Sequence, residues 1–413
     1  MTPRRILIAG LNYAPEQVGI GPYTAGLAEA LSARGHVVTA VVGKPYYPQW
    51  RSDPAFAGGW KRSVENRVAV TRCPHYVPPE PTGFKRVLHL ASFALSALVP
   101  LLVAAVRRGE KRPELVIAVA PALLGVLPAW LAARLAGAKL WVHLQDFEVE
   151  AAVATGLLGR QGKLVRLALW FEGRVLRLAD RVSTISPQMA ARLVAKGIAS
   201  ERVVEIRNWS DARFRPDPAG AARLRAGWGL GSRKVLLYSG NIARKQGIEV
   251  LIEAAQLLQT RDDLAFVICG EGPNRAELAR LAQGLANVQL HDLQPIENMG
   301  ALLELAALHL LPQIAGAADL VLPSKLTNML ASGRPVIATT APGTGLADEV
   351  EGCGAITPAG DAAALAAAIV AVIDDPTRCA MLGEAAKKRA VERWDKDRVV
   401  DRFEAAMAQL LAP

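Results

Sequence analysis

The sequence predicts an α/β protein of two successive doubly wound domains, each a parallel sheet flanked by helices. Three observations lead there. Short apolar runs alternate with Ala-, Leu- and Arg-rich stretches at helical spacing. That alternation pauses once, between Arg207 and Lys234, and then resumes. The chain of 413 residues also exceeds the size at which one hydrophobic core keeps growing. Hydrophobic residues make up 51% and charged residues 21%, ample for two cores and too apolar for a disordered chain.

In chain order, RRILIA (Arg4 to Ala9) reads as a first buried strand, TAGLAEALSARG as its helix and HVVTAVVG as a second strand. The apolar run at the N-terminus is too short for a secretory signal. ELVIAVA, KLWVHLQD and DRVSTIS are further strands, separated by helical stretches such as LLGVLPAWLAARLAG. After the pause, which reads as a linker with one short helix, KVLLYSG, LAFVICG, NVQLHD, LHLLPQ and PVIATT repeat the pattern. The expected division is residues 1–208 and 209–394. A last helix within 395–413, after the turn at Trp394 and Asp395, is expected to pack back on the first domain. Ligands of such sheets bind at the carboxyl ends of strands, so a cleft between the domains is the expected site.

One segment tests this scheme. VLHLASFALSALVPLLVAAV, Val87 to Val106, carries no charge and is flanked by Lys85, Arg86, Arg107 and Arg108. It is long enough to span a membrane. Pro100, His89, Ser92 and Ser96 interrupt it, and its basic flanks lack the asymmetry that orients a span. Spanning, buried and interfacial helices all remain open; basic flanks suit the last. The net charge of +10 suits an anionic partner, whether nucleic acid, a phosphorylated substrate or a membrane surface. Cys73, Cys269, Cys353 and Cys379 show no metal-ligand spacing and read as ordinary thiols.

The connection GLNYAPEQVGIGPYTAGLAEAL, between the first strand and its helix, is longer than usual. A dinucleotide fingerprint would set its glycines close to the strand. Here Gly19 and Gly21 lie well beyond it, with Pro22 opening the helix. Proline suits the first helical position and would leave the N–H groups from Ile20 to Thr24 facing an anion. The loop reads either as a cover over phosphates or as a plain surface loop. In the second half, YSGNIARKQG sets Arg244 and Lys245 beside Gly240 and Asn241. These are the cations and N–H donors that a departing diphosphate needs, or an exposed basic turn. CGEGP, with Glu271 between Gly270 and Gly272, reads as a plain turn or as a close backbone approach to a flat group such as a nucleobase. PSKLTNMLASGRPVIATT places Ser324 at an N-cap, with Lys325 and Leu326 beside it, just ahead of a short helix ended by Gly333. Its N–H groups and Lys325 make a further anion site, with Asn328 one turn on and able to reach a ribose hydroxyl. The alternative is a capped structural helix. The six scattered histidines offer no metal cluster, and His143 reads as structural.

Together NYAPEQVGIGPYTAGLAEAL, HLQDFE, YSGNIARKQGIE, CGEGP and PSKLTNMLASGRPVIA, in this order and over nearly the whole chain, resemble the family 4 retaining glycosyltransferases of the GT-B fold. The branch they resemble is that of the colanic-acid fucosyltransferase and related O-antigen and capsule enzymes. The resemblance implies that Gly19 and Gly21 cover the donor diphosphate and that Arg244 and Lys245 neutralise it. Gly240-Asn241 stands where the motif usually begins glycine-arginine. Gln246 stands where it usually has lysine, so Lys245 or Lys325 supplies that charge. Asp146 is what remains of a His-Asp pair, with Gln145 in place of the histidine. The family's two glutamates fall at Leu320 and Asn328, neither of them acidic. Asn241, Glu271, Gly272, Ser324, Lys325, Leu326 and Asn328 complete the implied donor set.

The implied activity transfers a sugar from a UDP- or GDP-linked donor to a lipid-linked acceptor, in capsule, exopolysaccharide or O-antigen synthesis. It needs no protein nucleophile, because the departing phosphate can take the acceptor's proton on the same face. No metal, other cofactor or nucleic acid is implied, and the expected location is peripheral, on the cytoplasmic face of the inner membrane. Two other readings stand beside it. A catalytically silent nucleotide-sugar-binding partner of another transferase would explain the missing glutamates. A nucleotide-sugar epimerase would be expected to offer acidic and histidine residues that this chain shows poorly.

Overall fold

The computed structural model describes residues 2–412 except 17–18, 81–82, 107–111, 121, 148, 151–161, 211–214, 244–245, 315–322 and 324. By its contacts the chain divides into two units, residues 1–208 with 399–413, and residues 209–398.

The strands of the first unit are β1 (Arg5–Gly10), β2 (Val37–Gly43), β3 (Lys61–Glu65), β4 (Val68–Cys73), β5 (Leu115–Ala120), β6 (Lys139–Leu144), β7 (Arg181–Thr184) and β8 (Val203–Glu205). They form one sheet in the order β3-β4-β2-β1-β5-β6-β7-β8. Every pairing is parallel except the β3–β4 hairpin at the edge. Helices α1 (Gly21–Ala33), α2 (Gly83–Ala105), α3 (Leu123–Ala136), α4 (Lys163–Arg177) and α5 (Pro187–Ala195) cover it. β5 is buried along its whole length, as a central parallel strand covered on both faces must be.

The α2 helix contains the long uncharged segment. His89, Phe93, Ala97, Pro100, Leu101, Ala104 and Ala105 are buried, and most of these belong to the core under the sheet. Phe93 packs against Gly125 of α3, where a Cβ would lie 3.3 Å from its ring. The strands on either side of α2, β4 and β5, both belong to this sheet. A helix wedged in that core by Phe93, Ala97 and Leu101 does not also cross a bilayer, so the spanning alternative is set aside. The opposite stripe, Phe84, Leu88, Leu95, Val99 and Val103, is exposed, with Leu95 at 72%. This helix is apolar on two faces and covered on one.

The β1–α1 connection is tied down from within. Glu16 is buried, and its Oε1 accepts the N–H groups of Tyr46 and Tyr47, both at 3.0 Å. Its Oε2 accepts from the Asn12 side-chain amide at 2.9 Å. Burial lifts the Glu16 carboxyl above the usual range, against these hydrogen bonds. From outside, Arg72 Nη2 donates to Ala14 O at 2.6 Å and pairs with Glu65 at 2.7 Å. A plain surface loop has no such anchors. One expectation fails: Tyr23 and Thr24 donate their N–H groups to Ile20 O, at 3.1 and 3.0 Å, so they do not face an anion.

The second unit has β9 (Lys234–Ser239), β10 (Leu264–Cys269), β11 (Val288–His291), β12 (Leu308–Pro312), β13 (Val336–Thr339) and β14 (Gly354–Thr357). They form an all-parallel sheet in the order β11-β10-β9-β12-β13-β14. Its helices are α6 (Pro218–Gly227), α7 (Glu249–Leu257), α8 (Arg275–Leu281), α9 (Met299–Leu305), α10 (Lys325–Ala331), α11 (Gly345–Val350), α12 (Ala362–Ile373) and α13 (Pro376–Trp394). α6 is the short helix expected in the linker, capped by Asp217. The last helix, α14 (Lys396–Leu410), belongs to the first unit from Val399 onward. There Phe403 lies against Trp141 of β6, ring centroids 4.5 Å apart, and Glu404 meets His36 at 2.8 Å. Burying two such rings contributes about 1.5–3 kcal/mol each.

Two outcomes are expected. Glu16→Ala strands the Tyr46 N–H in the interior and should cost about 1–3 kcal/mol, read from urea unfolding. Glu16→Gln keeps an acceptor and should lose less than half as much; equal losses would show that charge, not acceptance, holds the loop. Second, burial lowers His143 to about 4 and His309 to about 3, so both stay neutral when folded. The unfolded chain protonates them near pH 6.5, so stability should fall as pH drops below that value, by about 1.4 kcal/mol per pH unit for each group. Unfolding midpoints that do not change between pH 7 and 5 would contradict this.

Candidate active site

Where the strand order of an open parallel sheet reverses, neighbouring helices leave to opposite faces and a crevice opens at the carboxyl ends. The first sheet reverses between β1 and β5, the second between β9 and β12.

At the first reversal lies a cavity of about 180 Å³. Leu11 and Asn12 reach it from β1, Val119 and Ala122 from β5, Tyr46, Tyr47 and Trp50 from beyond β2, and Asp146 from beyond β6. The loop contributes Gly19 and Ile20, and α2 contributes Arg86, His89 and Leu90. Gly19 has φ +73 and its Cβ position lies 3.1 Å from the Tyr47 ring, so only glycine suits both conformation and space. Gly21 does not line the cavity; its Cβ position is 3.0 Å from Glu16 Cβ and 3.1 Å from Tyr13 O, a packing role. Trp50 is held at φ +51, a strained conformation for a large side chain and one that tends to persist at ligand sites. Its ring leans on Tyr46 and His89, both at 5.3 Å between centroids.

His89 is only 1% exposed. Its Nδ1 contacts Tyr76 O at 2.5 Å, which makes Nδ1 the donor, and its Nε2 has no partner among the described residues. Burial lowers its pKa and favours a neutral ring beside the cavity, with Nε2 itself covered. Sequence reasoning missed this residue, taking it only as a polar interruption of an apolar helix. Gln145 is elsewhere occupied: its amide meets His143 Nε2 at 2.8 Å and pairs with Asn208 in both directions at 2.9 Å. His143 Nδ1 reaches Ser183 Oγ at 2.8 Å, so its role is structural.

Beside the second reversal, on the far side of β9 from β12, the exits of β9 and β10 are pressed together. Gly240 N–H donates to Cys269 O at 2.9 Å and Ile242 N–H to Glu271 O at 2.8 Å. A Cβ on Gly270 would fall 2.0 Å from Gly240 O, and one on Gly272, at φ +152, 2.3 Å from Ile242 O and 2.6 Å from Asn241 Oδ1. These glycines therefore admit the protein's own loop, which is the packing reason for small residues here. Glu271 itself is exposed and faces Arg275 at 3.8 Å.

Lys325 comes back from beyond β12 to this place. Its Nζ donates to Tyr238 OH at 2.9 Å and lies 4.1 Å from that ring's centroid. Burial lowers its pKa to about 7. A Cβ on Gly240 would be 2.9 Å from Nζ, so the glycine makes room for the lysine.

The remaining candidates are placed as follows. Leu326 is fully buried among Leu311, Met329, Leu330 and Val336, so its side chain leaves the donor set. Its N–H donates to Pro323 O at 3.0 Å. Of the N–H groups expected to form an anion site at this helix start, that of Leu326 is thus taken within the chain. Asn328 lines a recess of about 20 Å³ with Arg215, Gly300, Glu304 and Ser332; neither Gly240 nor Lys325 lines it. Arg244, Lys245, Leu320 and Ser324 lie outside the described residues. Among the described residues no group of three His, Cys, Asp or Glu side chains is placed to hold a metal ion.

Comparison with known proteins gives the family. Residues 18–209 match the glycosyl transferase 4-like domain and residues 233–375 the glycosyl transferases group 1 domain. WcaI of Escherichia coli (strain K12), named as a colanic acid biosynthesis glycosyl transferase, is 43% identical over 342 residues, covering 81% of this chain and 83% of its own. A GDP-mannose-dependent alpha-(1-6)-phosphatidylinositol monomannoside mannosyltransferase of Mycolicibacterium smegmatis is 27% identical, with 94% of each chain covered. Among solved structures, sucrose-phosphate synthase of Thermosynechococcus elongatus superposes with a TM-score of 0.74 at 20% identity, covering 98% of this chain and 99% of that one. HepE of Anabaena, in complex with UDP-glucose, superposes with a TM-score of 0.68 at 16% identity, covering 98% and 100%. Two parallel-sheet units, this similarity to WcaI and both domain matches make the chain a member of glycosyltransferase family 4, with the GT-B fold.

Proposed function

We propose that this glycosyltransferase moves a sugar from a UDP- or GDP-linked donor to a lipid-linked glycan in surface polysaccharide synthesis, with retention at the anomeric carbon, while resting on the inner face of the cytoplasmic membrane. The observation that carries the reading is the double use of α2. Arg86, His89 and Leu90 on one side of this helix line the first unit's cavity, while Phe84, Leu88, Leu95, Val99 and Val103 on another side present an apolar stripe. An acceptor with a sugar head and a lipid tail has those same two halves. A helix with such a stripe and basic residues at its start suits the membrane interface.

In this reading the acceptor sugar enters the cavity, with Trp50 and Tyr46 against its apolar face and Asp146 orienting a hydroxyl. The donor diphosphate lies at the exit of β9, where Lys325 meets the charge that grows on the leaving group. Arg244 and Lys245 of the following turn join it, as the family resemblance implies. The C–O bond to the diphosphate breaks, the departing phosphate oxygen takes the acceptor hydroxyl's proton, and the new bond forms on the same face. The names of relatives support the donor class: HepE was solved with UDP-glucose, and the mycobacterial relative is named for GDP-mannose and a phosphatidylinositol acceptor. WcaI, named for colanic acid, supports a polysaccharide product.

The test is transfer. Radiolabelled UDP- and GDP-sugars incubated with the protein and membrane extract should deliver label to the lipid fraction, and a full donor panel without transfer would sink the proposal. A second outcome concerns attachment. Leu95→Glu with Val99→Glu places charges on exposed positions, so the protein should fold normally and leave the membrane pellet for the supernatant. An unchanged distribution would remove the stripe from the account.

A further inference from the structure

We propose that Tyr238 is a positioning residue for the donor: its phenol oxygen holds Lys325 Nζ at the carboxyl end of β9, so that a side chain from the far side of the sheet's reversal supplies the diphosphate with its cation. The inference rests on the donor reading above and names the group that sets that cation in place.

The contact has a fixed direction. Tyr238 OH donates its one proton to Asn241 O at 2.7 Å, which leaves an oxygen lone pair for Lys325 Nζ at 2.9 Å. The Asn241 carbonyl can only accept, so the phenol proton goes to it and the phenol oxygen is left to accept from Lys325 Nζ. Tyr238 is fully buried in β9, so its ring is locked by the strand. Asn241 is held in turn by the pairing of its loop with Gly270 and Glu271. Gly240 completes the fit, because any side chain there would meet Nζ.

Among the described residues no carboxylate pairs with the ammonium, and burial is what lowers its pKa. The titratable group in contact with it is the Tyr238 phenol, which burial pushes up and keeps neutral. On the neighbouring strand exit, Glu271 is engaged with Arg275. A buried cation without an anion is costly unless a ligand supplies one. A diphosphate does so, and its arrival favours the charged lysine. Binding should then take up protons.

Titrating UDP and GDP into the full-length protein by calorimetry tests this, between pH 7 and 9, above the phosphate's own second ionisation. In the wild type, affinity should fall with rising pH, approaching tenfold per unit. Lys325→Met should weaken binding and flatten that dependence. Tyr238→Phe, which keeps the ring and removes the oxygen, should weaken binding about tenfold alone and change nothing further in the Lys325→Met background. Losses that add would make Tyr238 merely structural and overturn the proposal. Wild-type binding that is tight but independent of pH, and unaffected by Tyr238→Phe, would overturn it while leaving the donor reading intact. Should Tyr238→Phe not fold, Lys325→Met decides alone: affinity and pH dependence like the wild type's would refute the role of the lysine. If neither nucleotide binds, the donor reading falls and this proposal with it.

Discussion

The reversal of winding direction within each parallel sheet is the constraint on which the rest depends. Where it occurs, two adjacent strands end with their helices leaving toward opposite faces, and no element of the sheet fills the space above them. In the first unit that space lies over β1 and β5, and the chain closes it with the long β1–α1 loop, the turn after β2 and the start of α2. In the second it lies over β9 and β12, and Lys325 reaches back across it to Tyr238. Side chains far apart in sequence converge because the topology leaves them one place to go.

The two crevices are built differently. The first is a cavity walled by aromatic rings, with a buried carboxylate, Glu16, bolting its loop to the strand behind. Beside the second, on its β10 side, backbone closely approaches backbone, and Gly240, Gly270 and Gly272 let the exits of β9 and β10 pair beyond their sheet. Rings suit the apolar face of a sugar. Closely packed exits bearing one lysine suit a compact anion.

Much of the fold was legible in the sequence because central parallel strands are continuous apolar runs, and such runs announce themselves. β3, β4, β8 and β14 were not seen. β3 is KRSVE, mostly exposed at the sheet edge, and it joins β4 through Asn66 and Arg67 at φ 47 and 69, a two-residue turn with no glycine to mark it. β8 spans three residues, and β14 opens on a glycine whose Cβ would meet Val336 O. At the site, residue types near glycines were legible, but not their targets. Gly270 and Gly272 read as a plain turn or as room for a flat ligand, and what their missing side chains leave room for in the fold is the chain's own loop. Leu326 shared a motif with Lys325 yet points into the core, since motif proximity says nothing about which face a side chain takes. His89 and Glu16 were invisible because what marks them is burial, and a lone polar residue in an apolar or loop segment carries no pattern.

Hydrogen bonding also separates polar groups that answer one another within the fold from a charge that calls for a ligand. Trp141, Ser183, His143, Gln145 and Asn208 form a closed chain of neutral hydrogen bonds running from β6 to the last residue before the second unit. Each member answers another, and such a network rigidifies without asking for anything more. Lys325 is the reverse: among the described residues its ammonium has no carboxylate to answer it, and burial works against its charge. Refilling its position with an apolar side chain would remove that cost. At the second reversal the lysine thus leaves a charge that the donor diphosphate of the proposed reaction would complete.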